Sequence, residues 1–163
     1  MLLRKNKFVF ILLVALSFMS CDKDRVFDEY KNINGSWKKT DTINFSFEQN
    51  DTIMPYNLFL NVRSNNDYPY SNLYLIVSLK QPDNLVKTDT LEYLMANPDG
   101  SLMGEGFSDI KESKLWYQEG FVFKKSGKYN VSILQAVRET GEVIGVQDLK
   151  GITDVGFRIE KTK

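Results

Sequence analysis

The strongest constraint on the fold of this chain is a period of two in its apolar residues from Trp37 onward. In segment 73–80, Leu73, Leu75, Val77 and Leu79 fall on one side of an extended backbone. Successive side chains of a β-strand point to opposite faces, so this alternation predicts a half-buried strand. The same pattern recurs in six further segments: 43–47, 57–63, 86–93, 115–123, 129–137 and 155–159.

Turn-forming residues separate these segments, in NNDYPYSN, QPDN, NPDGS, KKSGK and RETGE. Gly120 interrupts one segment and is a candidate β-bulge. About seven short antiparallel strands at this spacing predict an all-β antiparallel β-sandwich, either Ig-like or jelly-roll-like. The only helical element that we expect is one turn within VIGVQDLKGI, residues 143–152.

The N-terminus has the pattern of an export signal. Basic residues lie in MLLRKNK, and the uncharged run FVFILLVALSFMS follows from Phe8 to Ser20. This run is shorter than the roughly 20 apolar residues that a membrane-spanning helix needs. Residues 1–20 are therefore predicted to be a cleaved signal peptide.

The single cysteine of the chain, Cys21, comes directly after this signal. A lone cysteine is commonly a small buried residue, but Cys21 borders a signal sequence and precedes the charged residues DKDR. A catalytic thiol would need a histidine to activate it, and the chain has none. The segment resembles a bacterial lipobox, with Phe18 where leucine is usual, so Cys21 is the predicted site of diacylglycerol and palmitate attachment.

The domain organisation predicted from these features has three parts. Residues 1–20 are the signal peptide, and residues 21–36 are a lipidated tether that docks through Val26, Phe27 and Tyr30. Residues 37–163 are the β-sandwich.

Composition excludes several classes of function. Of 163 residues, 143 remain after residues 1–20 are removed, with 18 basic and 21 acidic side chains. This negative balance argues against a nucleic-acid partner. The absence of histidine and of a free thiol argues against zinc and thiol chemistry. We predict no cofactor, no metal site and no small-molecule substrate.

Two residue sets are candidates for chemistry. The carboxylates Asp99, Asp109 and Glu112 are a candidate acid–base set, although Asp99-Gly100 equally suits a tight turn. Loop 65–72 is rich in side-chain oxygens and is a candidate calcium site, although such residues commonly bond their own backbone. Neither set has the spacing of a known motif, and we predict that the protein is not an enzyme.

An aromatic set is the candidate contact surface. Tyr68, Tyr70 and Trp116 come from the NDYPYSN and KLWY segments. Exposed on a sandwich, such side chains contact a protein partner or stack on a glycan; packed inward, they belong to the core.

Three Asp-Thr-aliphatic triplets resemble an O-glycosylation motif of exported Bacteroidota proteins. Thr42 and Thr52 are the candidate sites, and Thr90 lies within a predicted strand. The competing interpretation is that Thr suits strands and Asp suits turns.

Four longer segments together resemble the gliding-motility GldH lipoproteins of Bacteroidota: CDKDRVFDEY, NDYPYSNLYLIV, TDTLEYLMANPDGSLMGEGFSDIKESKLWY and GITDVGFRIEK. The resemblance implies an envelope lipoprotein on the outer membrane that takes part in gliding and is associated with type IX secretion. It carries no catalytic motif, and only Cys21 matches a residue of known role, the lipid attachment site.

Two function hypotheses follow. The first is a non-enzymatic envelope lipoprotein that binds other gliding-motility lipoproteins, with its periplasmic or surface face undecided. The alternative is a lipidated β-sandwich that binds glycans, with Trp116, Tyr68 and Tyr70 as its stacking platform.

Overall fold

The computed structural model describes residues 23–106 and 108–163, so the predicted signal peptide and Cys21 lie outside the described residues. Ten strands make up the described chain: β1 Arg25–Asn32, β2 Ser36–Lys38, β3 Ile43–Gln49, β4 Pro55–Ser64, β5 Asn72–Lys80, β6 Val86–Leu94, β7 Lys111–Val122, β8 Gly127–Gln135, β9 Asp148–Lys150 and β10 Ile152–Lys161. Within these residues no helix is present, and hence none that could span a membrane.

The predicted all-β antiparallel sandwich is confirmed. One four-stranded sheet has the order β1-β10-β4-β7, and the other has the order β3-β8-β5-β6. Every pairing is antiparallel, and β2 pairs with β9 in a two-stranded ribbon. Eight strands in two interlocked four-stranded sheets form a jelly roll, one of the two predicted topologies. All seven segments with apolar alternation form strands.

The core lies between the two four-stranded sheets and is rich in aromatic rings. Phe47 of β3 stacks on Tyr129 of β8 at 5.7 Å between ring centroids and on Phe157 of β10 at 5.8 Å. Phe123 meets the Tyr129 ring edge-on at 4.9 Å. With a single cysteine the chain forms no internal disulfide, so burial of these apolar surfaces supplies the main stabilisation.

The predicted tether 21–36 requires correction. Residues 25–32 form β1, an edge strand of the first sheet, with Phe27 opposite Ile159 and Tyr30 opposite Gly156. The Phe27 ring lies 5.3 Å from that of Phe47 in the core. Backbone pairing does not require apolar side chains, so a charged edge strand shows little alternation. The folded domain therefore begins at Arg25, not at Trp37.

The predicted helical turn in 143–152 is also wrong. Residues 148–150 form β9, in which Leu149 lies opposite Trp37 of β2. Both side chains are completely buried, and an isolated helical turn would leave Leu149 without this contact. A single turn also has no cooperative stabilisation of its own.

Candidate functional site

The outer face of the β1-β10-β4-β7 sheet carries the candidate site. Alternation directs Phe59 of β4 and Trp116 of β7 outward, opposite each other in the register and next to Arg158 of β10. Two residues along each strand, on the same face, Lys114 lies opposite Asn61. The neighbouring charged side chains divide into two hydrogen-bonded networks, one centred on Glu160 and one on Glu112.

Trp116 is exposed over 53% of its surface, whereas Phe59 beneath it is exposed over only 3%. Their ring centroids are 4.5 Å apart, and the Lys114 ammonium lies 4.0 Å from the Phe59 ring centroid. Phe59, Lys114 and Trp116 are called the Trp116 platform. It borders a shallow depression of about 790 Å³ that Asn57, Arg158 and Glu160 also line.

A β-bulge terminates this platform. Tyr56 pairs with Phe121 and Leu58 pairs with Gln118, so two residues of β7 lie opposite Asn57. Gly120 takes a φ of +60°, which glycine adopts without strain, and its N–H donates to Asn57 Oδ1 at 3.0 Å. The bulge predicted at Gly120 is confirmed.

An ion-pair network supports one side of the platform. Glu160 accepts hydrogen bonds from Lys114 Nζ at 2.7 Å and from Arg158 Nε at 2.6 Å. Arg158 also donates to Asp28 Oδ2 at 2.9 Å. Burial alone would raise the pKa of Glu160, but these two hydrogen bonds and the two positive charges outweigh burial and lower it. The network fixes Lys114 against the Phe59 ring.

The lowered pKa of Glu160 predicts a pH-dependent contribution to stability. This contribution is present above the pKa of an unfolded glutamate and is lost as the pH falls through the lower folded value. Glu160→Gln should therefore be less stable than the wild type at pH 7, with a difference that shrinks toward pH 3. Urea unfolding at both pH values measures this, and a difference independent of pH would contradict the assignment.

The second network contains one of the candidate carboxylates. Glu112 accepts hydrogen bonds from Tyr30 Oη and from Arg63 Nε, both at 2.7 Å, and the Arg63 guanidinium lies 4.2 Å from the Tyr30 ring centroid. Asn61 donates to Tyr30 Oη at 2.8 Å. Burial, followed by the hydrogen bond to Glu112, raises the pKa of Tyr30 well above its usual range. Glu112 is thus engaged in holding β1, β4 and β7 together.

The other candidate residues for catalysis or metal binding have local structural roles. Asp99 accepts hydrogen bonds from the backbone N and the Oγ of Ser101, which matches the turn interpretation. Asp109 is exposed in the loop before β7. In loop 65–72, Asn65 Oδ1 accepts the Asp67 N–H at 3.0 Å, an Asx turn. Within residues 23–106 and 108–163, no three acidic side chains are grouped as metal ligands would be.

Two tyrosines connect the strand that carries Trp116 to the opposite sheet. Tyr93 of β6 donates to the Trp116 carbonyl oxygen at 2.6 Å, and burial raises the pKa of Tyr93 to about 12. Tyr117 of β7 donates to Asp89 of β6 at 3.1 Å. The edges of the two sheets are therefore joined beside the platform, which restrains the backbone below Trp116.

The three aromatic candidates do not form one surface. Tyr68 is only 5% exposed, and its hydroxyl donates to the Asn72 carbonyl oxygen at 2.7 Å. The prediction of Tyr68 as a contact residue is therefore wrong. Tyr70 is half-buried, packs edge-on against Tyr68 at 6.0 Å and donates to Glu139. These tyrosines lie in the β4–β5 loop, whereas Trp116 lies within β7.

The threonines of the Asp-Thr triplets are on the surface. Thr42 and Thr52 are exposed in the loops before β3 and β4, and Thr90 is exposed on β6. Their O-glycosylation stays a prediction.

Phe59, which supports the exposed Trp116 ring from below, is the platform residue that the aromatic clusters of the sequence do not indicate. The alternation in 57–63 places it on the face opposite Leu58 and Leu60, together with Asn57, Asn61 and Arg63. An aromatic residue on an otherwise polar face was the available signal. The partners Lys114, Arg158 and Glu160 come from strands distant in sequence, so no local pattern joins them.

Comparison with known proteins identifies the family. The family model described as GldH lipoprotein matches residues 25–159. The chain belongs to the GldH lipoprotein family. It is 57% identical to the gliding motility lipoprotein GldH of Flavobacterium johnsoniae, over 93% of this chain and 94% of the relative. It is 55% identical to a GldH homolog of Christiangramia forsetii, over 95% and 94% respectively.

Solved structures resemble this GldH-family chain only distantly. An infectious bursal disease virus VP2 subviral particle has a TM-score of 0.44 at 12% identity, covering 86% of this chain and 33% of VP2. A GH115 4-O-methyl-alpha-glucuronidase has a TM-score of 0.45 at 14% identity, covering 89% and 19%. The chain thus spans a third or less of each. Family membership associates the chain with the cell envelope and gliding motility.

Proposed function

We propose that this GldH-family chain is a lipid-anchored, non-enzymatic component of the gliding apparatus that binds another envelope protein through the Trp116 platform. The observation that carries the proposal is a half-exposed tryptophan on a rigid sheet face. Tryptophan is enriched among the residues that dominate binding energy at protein interfaces. The Phe59 ring beneath Trp116 is buried and the backbone at Trp116 is restrained. Binding through Trp116 therefore costs little conformational entropy.

The anchor in this proposal is Cys21, acylated after removal of residues 1–20. Relatives at 55–57% identity are both named as GldH gliding motility lipoproteins, one of them as a homolog. We further propose that the anchor lies in the outer membrane and that the partner is another gliding lipoprotein of the machinery associated with type IX secretion.

Trp116→Ala should reduce the recovery of partner lipoproteins by about thirtyfold, since removing a central aromatic contact costs roughly 2 kcal/mol. Isolation of the tagged protein from detergent-solubilised native membranes, followed by mass spectrometry, measures this. Spreading of the cells on agar should fall in parallel.

Two further variants make the test specific. Trp116→Phe keeps an aromatic ring over Phe59 and should restore most of the recovery. Leu94→Ala removes another exposed apolar side chain and should have no effect. Unchanged partner recovery with Trp116→Ala, at unchanged melting temperature, would refute the proposal. Glycan-array binding that depends on Trp116 would instead support the glycan-binding alternative.

A further inference from the structure

One end of the sandwich holds residue 23, at which the described chain begins, and we call it the lipid-proximal end. It comprises the chain termini at 23–26 and 160–163 and three connections with their flanking strand residues, 48–56, 79–87 and 121–128. Asp24 is three positions after Cys21, a span of at most about 11 Å. An acyl chain on Cys21 would therefore hold this end at a membrane surface.

The parts of the lipid-proximal end are joined by hydrogen bonds and an ion pair. The Lys161 N–H donates to the Asp24 carbonyl oxygen at 2.8 Å, and Thr162 Oγ1 donates to the Pro55 carbonyl oxygen at 3.1 Å. The β7–β8 turn reaches the other loops through Ser126, bonded to Asn50 at 2.8 Å. A longer ion pair of 4.0 Å joins Lys125 to Asp83. The end is one continuous surface.

Large apolar side chains project from this surface. Ile53 is 82% exposed and Leu85 is 59% exposed, and Met54 lies half-exposed beside Ile53. The loop that carries Ile53 is structured, because Asp51 Oδ1 accepts the backbone N–H groups of Ile53 and Met54 at 2.9 and 3.0 Å. Tyr56 Oη donates to the other Asp51 oxygen at 3.1 Å. These hydrogen bonds to Asp51 fix the loop in a conformation that exposes the adjacent side chains of Ile53 and Met54.

Charge distinguishes the two ends. The lipid-proximal ranges contain nine basic and five acidic residues, and all nine basic residues are exposed. The equivalent ranges at the opposite end, 31–44, 63–73, 93–112 and 134–153, contain seven basic and nine acidic residues. The positive end is thus the end that carries Ile53, Met54 and Leu85.

We propose that the lipid-proximal end docks on the anionic phospholipid surface of the membrane, with Ile53, Met54 and Leu85 inserted among the head groups. This inference rests on the proposed acylation of Cys21. Apolar side chains flanked by basic ones are the composition that binds such interfaces, and each basic residue near an anionic surface strengthens binding about fivefold. Docking would direct the Trp116 platform sideways along the membrane.

Site-directed spin labelling tests the docking in the acylated protein. Because Cys21 is the only cysteine and its sulfur is acylated, Ile53→Cys introduces a single reactive thiol. Val143→Cys is the matched control, since Val143 is 86% exposed in the loop before β9 at the opposite end. The vesicles contain phosphatidylethanolamine with about a quarter phosphatidylglycerol.

The label at position 53 should be more accessible to oxygen than to a water-soluble nickel complex, whereas the label at position 143 should show the reverse. Equal accessibility to the nickel complex at both positions would overturn the proposal. Mass spectrometry of the mature protein tests acylation separately, so failure of the anchor is distinguishable from failure of docking.

A second measurement removes the anchor. The mature chain carrying Cys21→Ser should co-sediment more with the phosphatidylglycerol vesicles than with phosphatidylethanolamine and phosphatidylcholine alone. Adding Ile53→Asp should weaken that binding by about tenfold, the effect expected for loss of one buried aliphatic side chain. Val143→Asp should leave binding unchanged. Equal binding to both vesicle types would contradict the role of the basic residues.

Discussion

Gly151→Ala is expected to lower the free energy of unfolding by more than about 4 kcal/mol, a loss seen only for severe steric or burial defects. Gly151 has a φ of +83°, and a Cβ atom there would lie 2.2 Å from the Tyr68 backbone N and 2.5 Å from its Cα. The chain near Tyr68 cannot move away freely, because the Asn65 N–H donates to the Gly151 carbonyl oxygen at 2.8 Å and the Tyr68 N–H donates to Asn65 at 3.0 Å.

Gly141→Ala is the matched control for this prediction. Gly141 has a similar φ of +86°, but a Cβ atom there would meet nothing within 4 Å. Its substitution should cost only the strain of a left-handed backbone, about 1 kcal/mol. Urea unfolding of both variants separates the steric contribution from the conformational one. Similar losses in the two variants would show that the β4–β5 loop is free to shift away from Gly151.

Cys21→Ser is expected to release the protein from membranes and to abolish gliding. Two or more acyl chains make attachment stable, because each buried methylene contributes about 0.8 kcal/mol. Without them, only the weak contacts of the lipid-proximal end remain. Cell fractionation and palmitate labelling measure the change, and the membrane-bound fraction should fall at least about tenfold.

Lys23→Ala is the control for the anchor, since it alters the adjacent charged residues but keeps Cys21, the proposed acylation site. It should remain in the membrane fraction and should support motility. A Cys21→Ser protein that still sediments with membranes and still supports gliding would refute the anchor.

The strands of the core were predictable because their information is local. One segment alone indicates a buried face through the alternation of Leu73, Leu75, Val77 and Leu79. Every segment with such alternation forms a strand in the structure. The edge strand β1 was missed because Asp28, Tyr30 and Asn32 face the outer networks, which leaves no apolar alternation to detect. The choice between a jelly roll and an Ig-like topology depends on which strands pair, and alternation carries no information about pairing.

The exposure of the candidate contact residues also depends on neighbours that are distant in the sequence. Trp116 and Tyr68 both lie in aromatic-rich segments of the sequence, KLWY and NDYPYSN, yet the first is half-exposed and the second is buried. The difference arises from neighbours far along the chain: Trp116 rests on Phe59 of β4, whereas Tyr68 packs beside Gly151, at the junction of β9 and β10.

The sequence by itself determined the all-β class and the positions of seven strands, because period-two alternation is a local property of the chain. It also carried the resemblance to the GldH family and the prediction that Cys21 is acylated, which rests on a short N-terminal pattern. Only the tertiary structure decided which aromatic side chain remains exposed, where the folded domain begins and which end carries both apolar loops and basic residues. Those properties depend on contacts between residues separated by tens of positions, and the pairing of the strands creates them.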